Sequence, residues 1–105
     1  NLWNYYLITQ DISFLQEYGA EIILEIAKFI SSITLFNPAR NKFEIHGVMG
    51  PDEYHEQEIE AKTPGLKNNT YTNIMAVWVL ERALQLQTIL SPLQKDYLFK
   101  LLEIR

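Results

Sequence analysis

The sequence predicts an all-α fold with one small β excursion. Apolar residues recur at steps of three and four on both sides of a central polar segment, a spacing typical of amphipathic helices. Residues that favour helix starts precede these stretches. Polar and apolar residues alternate over residues 42–46, which favours one short strand there. At 105 residues, the chain has the length of one small domain.

The first two helices are predicted from caps and an apolar stripe. Residues 1–10 have the character of a helix end. Asp11 and Ser13 are both candidate N-caps for the next helix, because their short side-chain oxygens can accept hydrogen bonds from first-turn amides. The apolar stripe of this second helix comprises Leu15, Tyr18, Ile22, Ile26, Phe29, Ile30 and Ile33.

This second helix is apolar over much of its circumference. Ile23 and Ala27 widen the stripe beyond what a surface helix needs. We therefore expect the helix to lie between two layers of protein. Asn37 and Pro38 are predicted to end it.

Two more helices are predicted after the central segment. Asn69 or Thr70 is expected to cap the first of them. Ser91, Pro92 and Gln94 predict the start of the last helix, with serine as N-cap, proline at the first helical position and glutamine at the third.

The candidate functional region is the polar segment of residues 45–73. A long irregular segment set among helices is more often functional than incidental. Its ionisable residues include both histidines and five carboxylates: His46, Asp52, Glu53, His55, Glu56, Glu58 and Glu60. Glu56, Glu58 and Glu60 are interpreted as a solvated acidic run without a specific role.

Glu53 is the candidate general acid of this segment. It follows Gly50 and Pro51, where glycine allows a sharp turn and proline fixes φ. Tyr54 would supply an apolar wall and Asp52 a like charge, both of which raise the pKa of a carboxyl group. A carboxylic acid that stays protonated near neutral pH can donate its proton to a glycosidic oxygen. The same spacing also fits ordinary solvated turn carboxylates.

The remaining polar residues of the segment allow two interpretations each. His46 and His55 could bind a metal with a neighbouring glutamate. The sequence has no His-Glu-x-x-His motif, so we expect hydrogen-bonding histidines and no metal. Asn68 and Asn69 could form hydrogen bonds with sugar hydroxyls, or could simply cap the following helix.

Composition limits the kinds of partner that this chain is expected to bind and the cellular compartment in which it is expected. The net charge is −4 and the nine basic residues are scattered, which argues against a nucleic-acid surface. No apolar run is long enough to cross a membrane, and the absence of cysteine favours a reducing, cytoplasmic compartment. The chain begins without Met inside an apolar run and ends in a helical pattern, so we expect a fragment of a longer protein.

Two linked motifs resemble glycoside hydrolase family 65, which holds maltose, trehalose and kojibiose phosphorylases and some trehalose hydrolases. The motifs are VMGPDEYHE at residues 48–56 and NNTYTN at residues 68–73. Residues 11–90 follow the family in register, with two departures: Ile30 stands where tryptophan is usual, and Thr70 where alanine is commoner. Residues 57–63 do not match residue by residue.

The resemblance implies a fold as well as a family. It predicts that residues 1–105 form a single fragment of an (α/α)6 barrel, with about four helices in this chain. Residues 43–70 would then be the catalytic loop.

The resemblance also implies the reaction. Glu53 matches the general acid of a family whose members invert the anomeric carbon. In phosphorylases, phosphate attacks the face opposite the acid, so neither a protein base nor a cofactor is needed. In hydrolytic members, a second carboxylate activates water from that face. The substrate-binding candidates are Asp52, His55, Asn68 and Asn69.

We therefore expect a fragment of an inverting α-glucoside phosphorylase that acts on an α-linked glucose disaccharide, with phosphate as co-substrate. The family's phosphate-binding residues lie outside these 105 residues, so the isolated chain should be inactive. Two interpretations compete: a fragment of a trehalose hydrolase, and a non-catalytic helical remnant that self-associates through apolar faces. The expected protein partners are further copies or the remainder of the parent chain, with no nucleic acid and no membrane.

Overall fold

The computed structural model describes residues 1–52 and 55–104, which form helices and three strands. The helices are α1 (Leu2–Thr9), α2 (Ile12–Phe14), α3 (Ala20–Ser32), α4 (Thr70–Ile89) and α5 (Pro92–Leu101), and a π-helical segment (Leu15–Gly19) joins α2 to α3. The strands are β1 (Thr34–Asn37), β2 (Lys42–Val48) and β3 (Leu66–Lys67). None of the described helices is both long and apolar enough to cross a membrane.

The all-α prediction is wrong. The three strands form one antiparallel sheet in the order β1-β2-β3, so the described chain is a mixed α and β structure and not a fragment made of helices alone. The predicted second helix stops at Ser32, and the residues after it pair with β2 instead. At the end of α3, the Ile30 carbonyl accepts from the Thr34 hydroxyl at 2.7 Å and from the Ile33 amide at 3.3 Å, so this last-turn oxygen is satisfied.

Contacts divide the chain into two compact units. The first comprises Asn1–Lys28 and Val79–Arg105, and the second comprises Phe29–Trp78. The first unit has an apolar core whose buried members are Trp3, Leu15, Ala20, Ile23, Leu24, Leu86, Leu90, Leu98 and Leu102. In the same unit, the Lys28 ammonium donates to the Leu102 carbonyl at 2.6 Å, which satisfies an oxygen at the end of α5.

The buried side of α3 differs from the predicted stripe. The side chains of α3 that are buried are those of Ala20, Ile23, Leu24 and Ala27. The exposed side chains include four of the predicted stripe, Tyr18, Ile22, Ile26 and Phe29. A π-helical turn holds one more residue than an α turn, so the segment before α3 rotates the following residues relative to a regular helix. The widening residues of the sequence analysis, Ile23 and Ala27, are thus the ones that face the core.

The β1–β2 hairpin lies in the second unit. Its register pairs Thr34 with Ile45 and Asn37 with Lys42. The Asn37 side-chain oxygen accepts from the backbone amides of Ala39 and Arg40 at 3.1 and 3.3 Å, an arrangement typical of asparagine in turns. Asn37 therefore starts a hairpin turn rather than ending a helix, and the strand predicted at residues 42–46 is confirmed and extends to residue 48.

Three of the predicted helix caps are confirmed. The side chains of Asp11 and Asn69 each accept a hydrogen bond at 3.0 Å from a backbone amide three residues later. The Ser91 hydroxyl accepts from the Gln94 amide at 3.3 Å, and the Gln94 side chain accepts in return from the Ser91 amide at 3.4 Å. This reciprocal pair is a capping box, with Pro92 at the first helical position.

Candidate functional site

One face of the sheet in the second unit collects ionisable side chains. Because side chains alternate along a strand, Glu44 and His46 of β2 lie on the same face. The antiparallel register places His46 opposite Lys67 of β3. Strand alternation and register together bring these three groups side by side.

Glu44 is the centre of this group. Its side chain is only 4% exposed, yet it is surrounded by donors. Its Oε1 accepts from Asn37 Nδ2 and from Arg40 Nη1, both at 3.1 Å. Its Oε2 lies 2.9 Å from His46 Nε2 and 3.6 Å from Lys67 Nζ. A buried carboxylate is stable only when it is paired in this way.

These neighbours hold the pKa of Glu44 at about 2, below its usual value of 4.5. The hydrogen bond from His46 contributes most, and the hydrogen bond from Asn37 and the charges of Lys67 and Arg40 act in the same direction. Burial acts against them, because a low-dielectric environment disfavours the charged form. Glu44 is therefore an anion across the physiological pH range.

A cleft of about 370 Å³ opens beside this face, within the size range of small-ligand sites. His46 and Lys67 contribute to its wall from the sheet. Gly47 and several residues that follow the candidate acid, including Glu58 and Thr63, contribute the rest. The cleft thus combines a cation, a carboxylate, an imidazole and a hydroxyl.

Two glycines bring the cleft backbone close together. Gly65 has φ +103°, and a Cβ atom built on it would lie 2.5 Å from the Cα atom of Gly47. The Gly65 amide also donates to the Glu56 carbonyl at 2.7 Å. Both the positive φ and the close approach require glycine at position 65.

Backbone hydrogen bonds join Asp52, His55 and Gly50. The His55 amide donates to the Asp52 carbonyl at 3.3 Å, and the Gly50 amide donates to the His55 carbonyl at 2.7 Å. The His55 ring covers Gly50 so closely that a Cβ atom there would overlap it. The side chains of Asp52 and His55, both predicted to bind substrate, are exposed.

Asn68 and Asn69 lie at the start of α4 and have structural contacts. The Asn68 side-chain oxygen accepts from the Ile45 amide at 3.1 Å, and the Asn69 side-chain oxygen accepts from the amide and the hydroxyl of Thr72 at 3.0 and 3.1 Å. The capping interpretation of Asn69 is therefore confirmed, and Asn68 instead extends the pairing of β2. Neither contact involves the side-chain nitrogen, which can donate a hydrogen bond to a sugar hydroxyl.

The candidate acid Glu53 and its neighbour Tyr54 lie outside the described residues. The two histidines have separate surroundings, since His46 contacts Glu44 and His55 covers Gly50. Among residues 1–52 and 55–104, no three histidine or carboxylate side chains lie in a group that could hold a metal ion.

Sequence analysis did not single out Glu44, Arg40 or Lys67. One signal was present: Glu44 and His46 are two apart in an alternating strand, so they had to share a face. The burial of that face and the contribution of Lys67 depend on the pairing of β2 with β3, which no local pattern indicated.

The whole chain resembles one protein family. Residues 1–103 match the family described as the glycosyl hydrolase family 65 central catalytic domain. An uncharacterized glycosyl hydrolase of Mycobacterium tuberculosis is 38% identical over 95% of this chain. A kojibiose phosphorylase of Halothermothrix orenii is 39% identical over 96% of the chain, and a maltose phosphorylase of Bacillus subtilis is 36% identical over 80%.

The matched segment is a small part of each relative. It covers 8% of the mycobacterial protein, 12% of the kojibiose phosphorylase and 10% of the maltose phosphorylase. Identity above 35% over most of this chain, together with a family match over residues 1–103, is decisive for membership. The chain therefore belongs to glycosyl hydrolase family 65, within its central catalytic domain.

Proposed function

We propose that the protein carrying this chain is an inverting α-glucoside phosphorylase. It would convert an α-linked glucose disaccharide and inorganic phosphate into β-glucose 1-phosphate and the released sugar. The observation that carries the proposal is the likeness over most of this chain to relatives named kojibiose phosphorylase and maltose phosphorylase. Both names describe cleavage of a glucose disaccharide with phosphate.

In the proposed mechanism, Glu53 is the general acid. It donates its proton to the glycosidic oxygen as the bond to the anomeric carbon breaks. Phosphate attacks the anomeric carbon from the opposite face, so the configuration changes from α to β. Phosphate carries its own nucleophilic oxygen, and the reaction therefore needs no protein base and no cofactor.

The exposure of Asp52 and His55 supports a substrate-binding role for these two neighbours of Glu53 in the sequence. Asp52 and His55 are exposed side chains on a backbone fixed by the Gly50–His55 hydrogen bond. Groups held on a fixed backbone can bind a sugar with little loss of conformational entropy. We assign sugar contacts to Asp52 and His55, and to the side-chain nitrogens of Asn68 and Asn69, whose oxygens already bond the protein.

We further propose that the 105 residues alone are inactive. The chain spans about a tenth of the length of the curated relatives it matches, so most of the residues around their sugar and phosphate belong to other segments. Exposed apolar side chains such as Ile22, Ile26 and Phe29 would then face the remainder of the parent chain or a second copy. We also propose a cytoplasmic location, which the absence of cysteine favours.

A hydrolase is the second candidate, because the mycobacterial relative is named a glycosyl hydrolase. In that case a second carboxylate, outside this chain, would activate water on the face opposite Glu53. A trehalose hydrolase is the family's example of this chemistry.

The test compares Glu53→Gln with wild type in the full-length protein. Kojibiose, maltose and trehalose are each incubated with and without phosphate, and glucose 1-phosphate and glucose are measured. The proposal expects phosphate-dependent release that falls by at least about 100-fold in Glu53→Gln, since general acid catalysis contributes about 100-fold or more. The exposed Glu60→Gln is the matched control and should keep wild-type activity.

Two results would count against the proposal. Glucose release that does not depend on phosphate would move the protein to the hydrolases. Undiminished activity in Glu53→Gln would remove Glu53 as the acid.

A further inference from the structure

We infer that Glu44 is a positioning residue that holds His46 and Lys67 as a fixed polar wall of the cleft, where these two side chains bind hydroxyl groups of the sugar substrate. The inference rests on the proposed function, because it takes its ligand from that reaction. It adds three residues that the motifs of the chain did not indicate.

The two carboxylate oxygens of Glu44 have different partners. Oε1 is bound by Asn37 Nδ2 and Arg40 Nη1, both at 3.1 Å, which ties the carboxylate to the β1–β2 hairpin. Oε2 faces His46 Nε2 at 2.9 Å and Lys67 Nζ at 3.6 Å. Because Asn37 and Arg40 hold the first oxygen, the second is oriented toward both cleft side chains.

Glu44 is buried, whereas the two side chains that it positions, His46 and Lys67, are partly exposed. Glu44 is 4% exposed, so a ligand in the cleft cannot reach it. The side chains of His46 and Lys67 are 39% and 52% exposed, and both line the cleft. Glu44 can therefore affect a ligand only through these two neighbours.

The hydrogen bond to Glu44 also determines which ring nitrogen of His46 is available to a ligand. A carboxylate only accepts hydrogen bonds, so its partner atom Nε2 must carry the proton. Nδ1 is then the ring atom left for a ligand. Lys67 adds an ammonium group with further protons to donate.

The charges of the cleft favour a neutral polyhydroxyl ligand. Lys67 provides one positive charge and Glu58 one carboxylate, and Thr63 adds a hydroxyl. A phosphate would be attracted by Lys67 but repelled by Glu58. A sugar has hydroxyl groups that can donate to the carboxylate and accept from the ammonium at the same time.

The test is the steady-state kinetics of Glu44→Gln in the full-length protein. Glutamine keeps the size of the side chain and removes its charge. We expect KM for the disaccharide to rise about tenfold with kcat within about threefold, because the wall binds the ground state and the transition state alike. KM for phosphate should not change. The control is Glu60→Gln, an exposed carboxylate that does not line the cleft.

A double-mutant cycle then asks whether Glu44 acts through Lys67. Lys67→Met removes the ammonium from the cleft directly and should raise KM by a similar factor. The double variant should be no worse than the more affected single variant, because both changes remove one interaction. Effects that multiply would overturn the inference, as would Glu44→Gln with unchanged KM or with a loss confined to kcat.

Two further outcomes keep the inference testable. If Glu44→Gln does not fold, Lys67→Met and His46→Ala must each raise KM on their own, since both side chains are partly exposed and less needed for folding. Unchanged KM in both would overturn it. Wild-type protein with no activity on any α-glucoside would refute the proposed function, and this inference with it.

Discussion

Two hydrogen bonds join Asn68 and Ile45. One is between backbone groups, and in the other the Asn68 side chain replaces the backbone acceptor that a neighbouring strand would provide. The Asn68 amide donates to the Ile45 carbonyl at 2.8 Å, and the Asn68 side-chain oxygen accepts from the Ile45 amide at 3.1 Å. Asn68 has φ +51°, a left-handed conformation that asparagine adopts more readily than most residues. One residue thus completes the pairing of β2 and turns the chain toward α4.

Asn68→Ala should loosen β2 near Ile45. Alanine lacks the acceptor and is strained at positive φ, so we expect a local destabilisation of about 1–3 kcal/mol. Hydrogen–deuterium exchange of the peptide covering β2 measures this directly. Asn68→Gly is the matched control: it tolerates the backbone conformation and loses only the side-chain bond, so its exchange should be intermediate. Wild-type exchange in Asn68→Ala would contradict the assigned role.

Gly65→Ala and Gly47→Ala form a matched pair at the cleft. Alanine at position 65 would be strained at φ +103° and would place its Cβ 2.5 Å from the Gly47 backbone. Alanine at position 47, with φ +75°, meets nothing within 4 Å. We expect a loss of about 1 kcal/mol for Gly47→Ala, the strain alone, and at least about twice that for Gly65→Ala. Thermal unfolding of the full-length variants gives the order, and equal losses would argue against the close approach.

Glu44 makes stability depend on pH in acid. Its folded pKa of about 2 lies below the usual value of 4.5, so ionisation of Glu44 favours the folded state. That stabilisation is complete above about pH 4.5 and is lost as the pH falls toward about 2. The ionisable groups facing it are Arg40, His46 and Lys67.

The measurement for this third prediction is the unfolding temperature of wild type and Glu44→Gln between pH 7 and pH 2. Wild type should be the more stable at pH 7, and the difference should shrink below about pH 4.5. A difference that stays constant to pH 2 would mean that Glu44 does not titrate in this window.

Local chemistry made some elements predictable and others not. The caps at Asp11, Asn69 and Ser91 need only a short polar side chain and the amides that follow it, so the sequence was sufficient. β1 was missed because Ile30 and Ile33 continue a helical spacing across the true end of α3. Tertiary pairing with β2 overrides that spacing.

The residues of the candidate site were likewise only partly predictable from the sequence. The motif residues Asp52 and His55 were identified from the sequence, and a backbone hydrogen bond joins them in the structure. Glu44 was not, because a buried carboxylate is uncommon and its burial depends on four partners from the hairpin, β2 and β3. The π-helical segment likewise has no reliable sequence signal, and it decides which side of α3 is buried.

We propose above that the full-length protein cleaves α-glucosides with phosphate and inverts the anomeric carbon. The most direct measurement is proton NMR of the first glucose 1-phosphate formed by the full-length protein from an α-linked glucose disaccharide, before the products equilibrate. The account predicts the β anomer, because phosphate attacks opposite the departing sugar. The α anomer as first product, or free glucose as the only glucosyl product, would contradict it.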